Sequence, residues 1–83
     1  MVCRVTSDLT DDNAWIFREL QRIGRSIRKA RMDRNLTEED MLLDVPMNQS
    51  YYQDIEAGRA NPTLDTLLRI ARVLDVPLAD LVR

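Results

Sequence analysis

The sequence predicts an all-α fold in which five helices form one small domain. Apolar residues recur at three- and four-residue spacing over residues 16–30 and again over residues 64–74, which is the period of a helix with one buried face. Thr37, Asn48 and Thr63 each stand where an oxygen-bearing side chain can cap a following helix. The 83 residues, 45% of them apolar, allow a single domain with a modest core.

The first predicted helix is the longest. Residues 10–12 offer N-cap side chains, and the helical period then continues, so we expect one helix over about residues 12–33, or two helices with a break near Gly24. Residues 1–9 show no periodicity and are predicted to form a flexible N-terminus.

The middle of the chain predicts two short helices in close succession. Thr37 precedes three carboxylates and an apolar face, and Pro46 ends that helix near residues 44–45 because the residue before a proline is pushed out of the α region. Asn48 then caps a second helix over residues 49–57, which ends at Gly58. Two such helices need apolar support from the rest of the chain, and together they form a helix-turn-helix.

The last part of the chain predicts two more helices. Thr63 caps the fourth, and Pro77 begins a final short one over residues 78–82. The buried stripe of the fourth helix is expected to comprise Leu64, Leu67, Leu68, Ala71 and Leu74.

The charge is polarised along the chain although the net charge is only −2. Residues 18–34 carry seven Arg or Lys against two Asp or Glu, a net charge of +5, whereas residues 35–83 carry four against nine, a net charge of −5. A nucleic-acid interface needs local positive potential, which the total does not measure. The simpler interpretation is that the cations are the solvated side of a helix, namely Arg18, Arg22, Arg25, Arg28, Lys29, Arg31 and Arg34.

Several classes of protein are disfavoured by composition. The single cysteine, Cys3, cannot form an internal disulfide, and without histidine the chain lacks the ligands of a zinc site, so we expect no metal and no cofactor. There is no nucleophile–base pair or phosphate loop, so we expect no enzymatic activity. No apolar run approaches the roughly twenty residues that cross a bilayer, and we expect a cytoplasmic protein that does not bind membranes.

The stretch from Leu36 to Gly58, LTEEDMLLDVPMNQSYYQDIEAG, resembles a known family. Without gaps it is similar to the phage-repressor-like (Xre/Cro type) DNA-binding domain, whose usual run is close to L-S-Q-E-E-L-A-E-x-x-G-V-S-x-S-Y-I-S-x-I-E-x-G. The matching residues are Leu36, Glu39, Ser50, Tyr51, Ile55, Glu56 and Gly58. The resemblance implies a five-helix lambda-repressor-like helix-turn-helix domain over residues 23–83, with residues 10–22 as an N-terminal helical extension. Asn35 stands where the family commonly has a glycine in a left-handed helix stop.

The resemblance also implies roles for individual residues. The residues that would read DNA bases are Gln49, Ser50, Gln53 and Asp54. Gln49 is the strongest candidate because its amide can make a bidentate contact with adenine, although on composition alone Gln49 and Gln53 are ordinary exposed helix residues. The residues that would contact phosphates are Thr37, Glu38, Asn48, Tyr51, Arg59 and Asn61.

Other residues are assigned to structure. Arg31 and Glu56 occupy the positions of a salt bridge that, in the family, joins the first helix to the recognition helix, and Tyr52 occupies a core position. Trp15 and Phe17 lie in the extension, where they either cover an edge of the core or contact a second subunit.

Four residues depart from the family pattern. Glu38 replaces a glutamine that grips phosphate and should repel it, and Asp54 replaces a base-reading glutamine. Leu42 replaces a small alanine where the two helices cross, which should push the helices apart or force repacking. Pro46 replaces a glycine of positive φ, so the turn must differ.

The expected function is that of a transcriptional regulator that binds double-stranded DNA as a homodimer. The site would be a two-fold symmetric operator, and regulation would follow from its occupancy. The alternative is a protein-interaction module, antitoxin-like or regulator-binding, with a weakened DNA surface.

Overall fold

The computed structural model describes residues 8–83, with side chains from residue 13 onward. Within this range the chain is all helical and contains no strand, as the sequence predicts. The five helices are α1 (Asp8–Asp33), α2 (Glu38–Asp44), α3 (Gln49–Ala57), α4 (Leu64–Leu74) and α5 (Leu78–Val82). The predicted bounds of α3 and α5 are therefore those of the structure, and α4 begins directly after its predicted cap, Thr63.

Helix α1 is one unbroken helix that passes through Gly24 and begins at Asp8, ahead of the start predicted near residue 12. Of the predicted flexible segment, residues 1–7 lie outside the described part of the chain. Gly24 does not break α1 but lets α3 approach it: a Cβ at Gly24 would lie 2.5 Å from the carbonyl oxygens of both Ile55 and Glu56. The position of α3 therefore depends on Gly24 having no side chain.

Local capping sets the ends of the two central helices. The Thr37 hydroxyl accepts from the Asp40 backbone N–H at 3.1 Å, and the Asp40 carboxylate accepts from the Thr37 N–H at 2.8 Å, which is a complete capping box. Asn48 Oδ1 accepts from the Tyr51 N–H at 2.7 Å and so begins α3. Gly58, with φ of 79°, ends it in the left-handed conformation that glycine favours.

The turn between α2 and α3 is centred on Pro46. Val45 is extended, and the backbone N–H of Met47 donates to the carbonyl of Val45 at 2.9 Å, closing a three-residue turn. Residues with positive φ within the described range are Asn35, Gly58 and Asp75, so Pro46 does not take the conformation of the glycine it replaces. The expectation of a different turn is confirmed, as is the left-handed conformation of Asn35 at φ 57°.

The core lies between α1 and the four later helices, and each helix contributes to it. The buried apolar side chains are Ile27, Met41, Val45, Tyr52, Ile55, Ile70, Ala71, Leu74 and Leu81. Tyr52 is fully buried, as expected from its assignment to packing. Leu42 is half-buried and packs against this cluster, so the larger residue is accommodated at the helix crossing.

The predicted buried stripe of α4 is wrong at two positions. Leu64 and Leu68 are 61% and 48% exposed, and Ile70, which the prediction omits, is fully buried. At 100° per residue, Leu67, Ile70, Ala71 and Leu74 share one face, and the other two leucines lie beyond its edge. The helical period of the apolar residues alone did not show which of these residues would be buried.

Two of the basic residues of α1 serve the fold instead of facing solvent. The Arg22 guanidinium donates to the Val82 carbonyl at 2.9 Å and to that of Arg83, and pairs with Glu19 at 2.6 Å. It thereby satisfies carbonyls at the end of α5 that have no partner within that helix. The second such residue, Arg31, belongs to the interface below.

Trp15 and Phe17 are about half exposed on the protruding turns of α1. Neither is among the buried core residues or the partly buried apolar residues that pack against them. No helix in that range is long and apolar enough to cross a bilayer.

Candidate nucleic-acid interface

One face of the first two turns of α3 is exposed to solvent. Gln49, Ser50 and Gln53 are exposed, whereas Tyr52 and Ile55 on the opposite face are buried in the core. The alternation follows from the helical period, because residues one and two turns apart share a face. The predicted base-reading side chains are therefore placed on one accessible face.

The predicted base-reading side chains of Gln49, Gln53 and Asp54 contact neighbouring charged groups, which the sequence pattern does not reveal. Gln53 Nε2 donates to Glu38 Oε1 at 3.0 Å, and Gln49 Nε2 lies 3.4 Å from Glu39 Oε2. Asp54, only half-buried, pairs with Arg59 at 3.0 Å. The two glutamine contacts arise because the start of α2 crosses beside α3, a relation that only the tertiary structure specifies. The Asp54–Arg59 pair is local and joins α3 to the loop that follows it.

The carboxylate of Glu38 is stabilised in its ionised form. The hydrogen bond from Gln53 is the main cause that lowers the pKa of Glu38, with smaller contributions from Gln49, Arg31 and Arg28. At neutral pH the start of α2 is therefore negatively charged on the side that faces α3.

The predicted phosphate-contacting residues lie around the same face, but several are already engaged. The side chains of Thr37 and Asn48 accept from backbone N–H groups as helix caps, and Arg59 is paired with Asp54. Tyr51 is half-buried, and Asn61 is exposed in the loop after α3. Among the predicted phosphate contacts, the exposed donors are therefore the side chain of Arg59, which is 64% exposed, and the groups of the loop after α3.

The predicted pair of Arg31 and Glu56 is present and buried. Arg31 Nε and Nη2 donate to the two carboxylate oxygens of Glu56 at 2.7 and 3.1 Å, with side-chain exposures of only 11% and 7%. Arg31 Nη1 also donates to the Leu36 carbonyl at 2.9 Å, and the Tyr52 hydroxyl donates to Glu56. The pair thus joins α1, α3 and the start of the α2 segment through one network.

The pKa values of Arg31 and Tyr52 are both shifted by their contacts in this network. The hydrogen bond with Glu56 is the main cause that raises the pKa of Arg31, and burial, followed by the bond to Glu56, raises the pKa of the Tyr52 hydroxyl. Both groups therefore keep their protons at physiological pH.

The described residues form the parts of a helix-turn-helix motif. A capped α2 crosses beside α3, a proline-centred turn joins them, and the buried pair fixes α3 on α1. No group of side chains among residues 13–83 has the composition and geometry to hold a metal ion. The fold and this face define a helix-turn-helix domain of the DNA-binding type.

The family assignment comes from comparison with known proteins. A helix-turn-helix family model matches residues 27–81, which include the end of α1, all of α2, α3 and α4, and α5 except its last residue. The chain belongs to the Xre-like helix-turn-helix family of DNA-binding transcription regulators.

Individual relatives differ in how much of their length they share with this chain. It is 32% identical over 71 residues to multiprotein-bridging factor 1 of Candida albicans, covering 86% of this chain but 47% of that protein. It is 33% identical over 60 residues to an uncharacterized HTH-type transcriptional regulator of Sinorhizobium fredii, covering 72% of this chain and 78% of the relative. The chain therefore spans about half the length of the Candida relative.

A solved structure shows the same architecture. The restriction-modification controller protein C.AhdI from Aeromonas hydrophila superposes with a TM-score of 0.71 at 27% sequence identity, covering 75% of this chain and 94% of the controller. The fold of three quarters of this chain is thus shared with a restriction-modification controller protein.

Proposed function

We propose that this chain binds a specific DNA sequence as a homodimer on a two-fold symmetric operator and regulates transcription by occupying it. The observation that carries the proposal is the exposed first turn of α3, whose opposite face is fixed to the core by Tyr52 and Glu56. An α-helix fits the major groove of B-DNA, and residues of its first turns reach base edges. The family membership and the regulators among its relatives support the proposal.

The proposed binding mode follows from the position of the two helices. α3 would lie in the major groove, and α2 would cross the backbone beside it. Backbone N–H groups and Arg59 in the loop after α3 would contact phosphates. Two copies on one face of the duplex would place their half-site centres about 34 Å apart, one turn of DNA.

The most informative test is selection of bound duplexes from a random pool at about 0.1 M salt, repeated at lower and higher salt because the affinity of a protein for DNA depends on salt concentration. We expect a two-fold symmetric consensus whose half-sites are one helical turn apart. Recovery of unselected random sequence at every salt concentration would contradict sequence-specific binding.

The roles of Gln49 and Arg59 should separate on the selected site. Gln49→Ala should weaken specific binding by about 1 to 3 kcal/mol and relax the preference at one base pair, because an amide contact with a base edge is lost. Arg59→Ala should weaken binding to all sequences, since it removes a phosphate contact. Titration of labelled duplexes of matched and scrambled sequence measures both.

Arg83→Ala is the matched control for this pair of variants. Arg83 pairs with Asp80 at 3.1 Å on α5, which makes no contact with α2 or α3 within the described chain. Its removal should leave both affinities unchanged. Equal losses from Gln49→Ala on matched and scrambled duplexes would refute the base-reading assignment.

The dimer is proposed to form through the extension of α1. Trp15 and Phe17 are about half exposed there, and large aromatic side chains left exposed on so small a domain indicate a contact surface. A double Trp15→Ala and Phe17→Ala variant should sediment as a monomer at concentrations where the parent is a dimer. Its fold should be intact by circular dichroism.

Leu64→Ala with Leu68→Ala is the control, because these exposed leucines of α4 form the rival apolar surface. If the α4 variant is monomeric and the α1 variant remains dimeric, the interface lies on α4. A parent protein that is monomeric at high concentration would refute the dimer.

A second candidate function is a protein-interaction module. It is favoured by the carboxylates of Glu38 and Glu39 beside the reading face, since these would repel phosphate. The same selection experiment distinguishes the two candidates, because only the regulator enriches a sequence.

A further inference from the structure

The amide of Gln53 can adopt only one orientation beside Glu38. A carboxylate accepts hydrogen bonds and cannot donate them, so the group that faces it at 3.0 Å must be Nε2. Rotation of the amide by half a turn would place Oε1 against the carboxylate, with two acceptors in contact. The hydrogen bond with Gln53 also lowers the pKa of Glu38, which keeps the carboxylate ionised at neutral pH.

The orientation decides which base edge Gln53 can read. Nε2 carries two hydrogens. A bidentate base contact needs the hydrogen on the same side as Oε1, so such a contact by Gln53 requires that the other hydrogen serves Glu38. The free edge of the amide then presents Oε1 next to the remaining N–H, an acceptor and a donor in fixed order. Adenine offers the complementary pair, an N6 amine donor and an N7 acceptor, whereas guanine offers two acceptors.

The fixed order also has a direction along the groove. Reversing A·T to T·A moves the adenine edge to the other strand and exchanges the order of its donor and acceptor relative to the protein. A freely rotating glutamine amide could follow this exchange at little cost, because the terminal torsion of glutamine is broad. An amide held by a carboxylate cannot.

We propose that Glu38 is a positioning residue that fixes the amide of Gln53, so that Gln53 selects adenine on one strand and rejects both guanine and the reversed base pair. This inference rests on the proposed DNA-binding function. It gives Glu38 a role in specificity besides its repulsion of phosphate.

Duplex selection with matched variants tests the inference. Gln53→Ala identifies the base pair concerned as the one whose preference disappears. Glu38→Gln should lower the adenine preference at that base pair by on the order of tenfold, because its neutral amide can both donate and accept and so admits both orientations of Gln53. When Glu38→Gln is added to Gln53→Ala, it should have no further effect on the preference at that base pair.

Glu39→Gln controls for charge. It removes one carboxylate from the same helical turn, but Glu39 lies nearer Gln49, at 3.4 Å. Both variants should bind all duplexes more tightly, most at low salt, since each removes a negative charge near phosphate. Only Glu38→Gln should change the preference at the Gln53 base pair. Equal tightening with unchanged preference in both would overturn the inference while leaving the proposed function intact.

Nuclear magnetic resonance of the protein without DNA tests the contact itself. The side-chain amide signals of Gln53, assigned by their absence in Gln53→Ala, should shift as Glu38 is protonated on acidification. The shift should disappear in Glu38→Gln and persist in Glu39→Gln. Signals that ignore Glu38 would overturn the inference, and a parent protein that selects no duplex would overturn the proposed function and this inference together.

Discussion

Arg31→Met should lower the free energy of unfolding by about 3 to 5 kcal/mol, because it leaves the Glu56 carboxylate buried without its cation. The pair makes two hydrogen bonds at 2.7 and 3.1 Å and is nearly excluded from solvent. The change also removes the donor to the Leu36 carbonyl. Urea denaturation followed by circular dichroism measures the loss.

Lys29→Met is the matched control, because Lys29 lies on the same helix and pairs with Asp33 at 3.0 Å. That pair is 78% and 58% exposed. Exposed pairs of this kind contribute little, so the control should change stability by less than about 0.5 kcal/mol. Similar losses in the two variants would contradict the claim that burial makes the Arg31 pair important.

The double variant Arg31→Met with Glu56→Met gives a further check on the mechanism. Removing both charges leaves no uncompensated carboxylate, so the double variant should be more stable than Arg31→Met alone. If its loss equals the sum of the single losses, the cost is one of packing and not of a stranded charge.

Gly24→Ala should destabilise the protein by about 3 kcal/mol, although alanine is the better helix former by about 1 kcal/mol. Its Cβ would meet the backbone carbonyls of Ile55 and Glu56 at 2.5 Å, and backbone atoms cannot rotate aside as a side chain can. The two helices would have to separate, which loosens the core between them. Thermal unfolding followed by circular dichroism measures the effect.

Arg25→Ala is the control at the neighbouring exposed position of α1, where we expect a change of less than about 0.5 kcal/mol. A Gly24→Ala variant as stable as the parent would show that α1 and α3 can move apart without cost. In that case the close approach would not set the position of the recognition helix.

The sequence predicted the parts of the fold that local chemistry decides. The bounds of α3 followed from the Asn48 cap and the left-handed Gly58, and the turn at Pro46 followed from the fixed φ of proline. The pair of Arg31 and Glu56 came from the family resemblance, and the structure places the two side chains in contact.

What the sequence did not predict depends on how helices cross. The choice of Ile70 over Leu64 and Leu68 for the core is made by the neighbours of α4, which the helical period does not contain. The contact between Glu38 and Gln53 joins residues fifteen positions apart and exists only because α2 crosses beside α3. The residues assigned to DNA contacts and to the dimer remain predictions, and the variants above test Gln49, Gln53 and Arg59 for DNA contacts and Trp15 and Phe17 for the dimer.

Because α1 is unbroken past Gly24, the number of residues between the proposed dimer contact and Gly24 would set the distance and angle between the two α3 helices of a dimer. Between Phe17, where the proposed dimer contact lies, and Gly24, where α3 rests on α1, the helix rises about 10 Å as one rigid rod. Each residue inserted or deleted there would turn the two recognition helices by about 100° about their own α1 axes and shift them by about 1.5 Å. In a dimer joined in this way, the number of residues between Phe17 and Gly24 would determine the spacing of the half-sites that the dimer can bind.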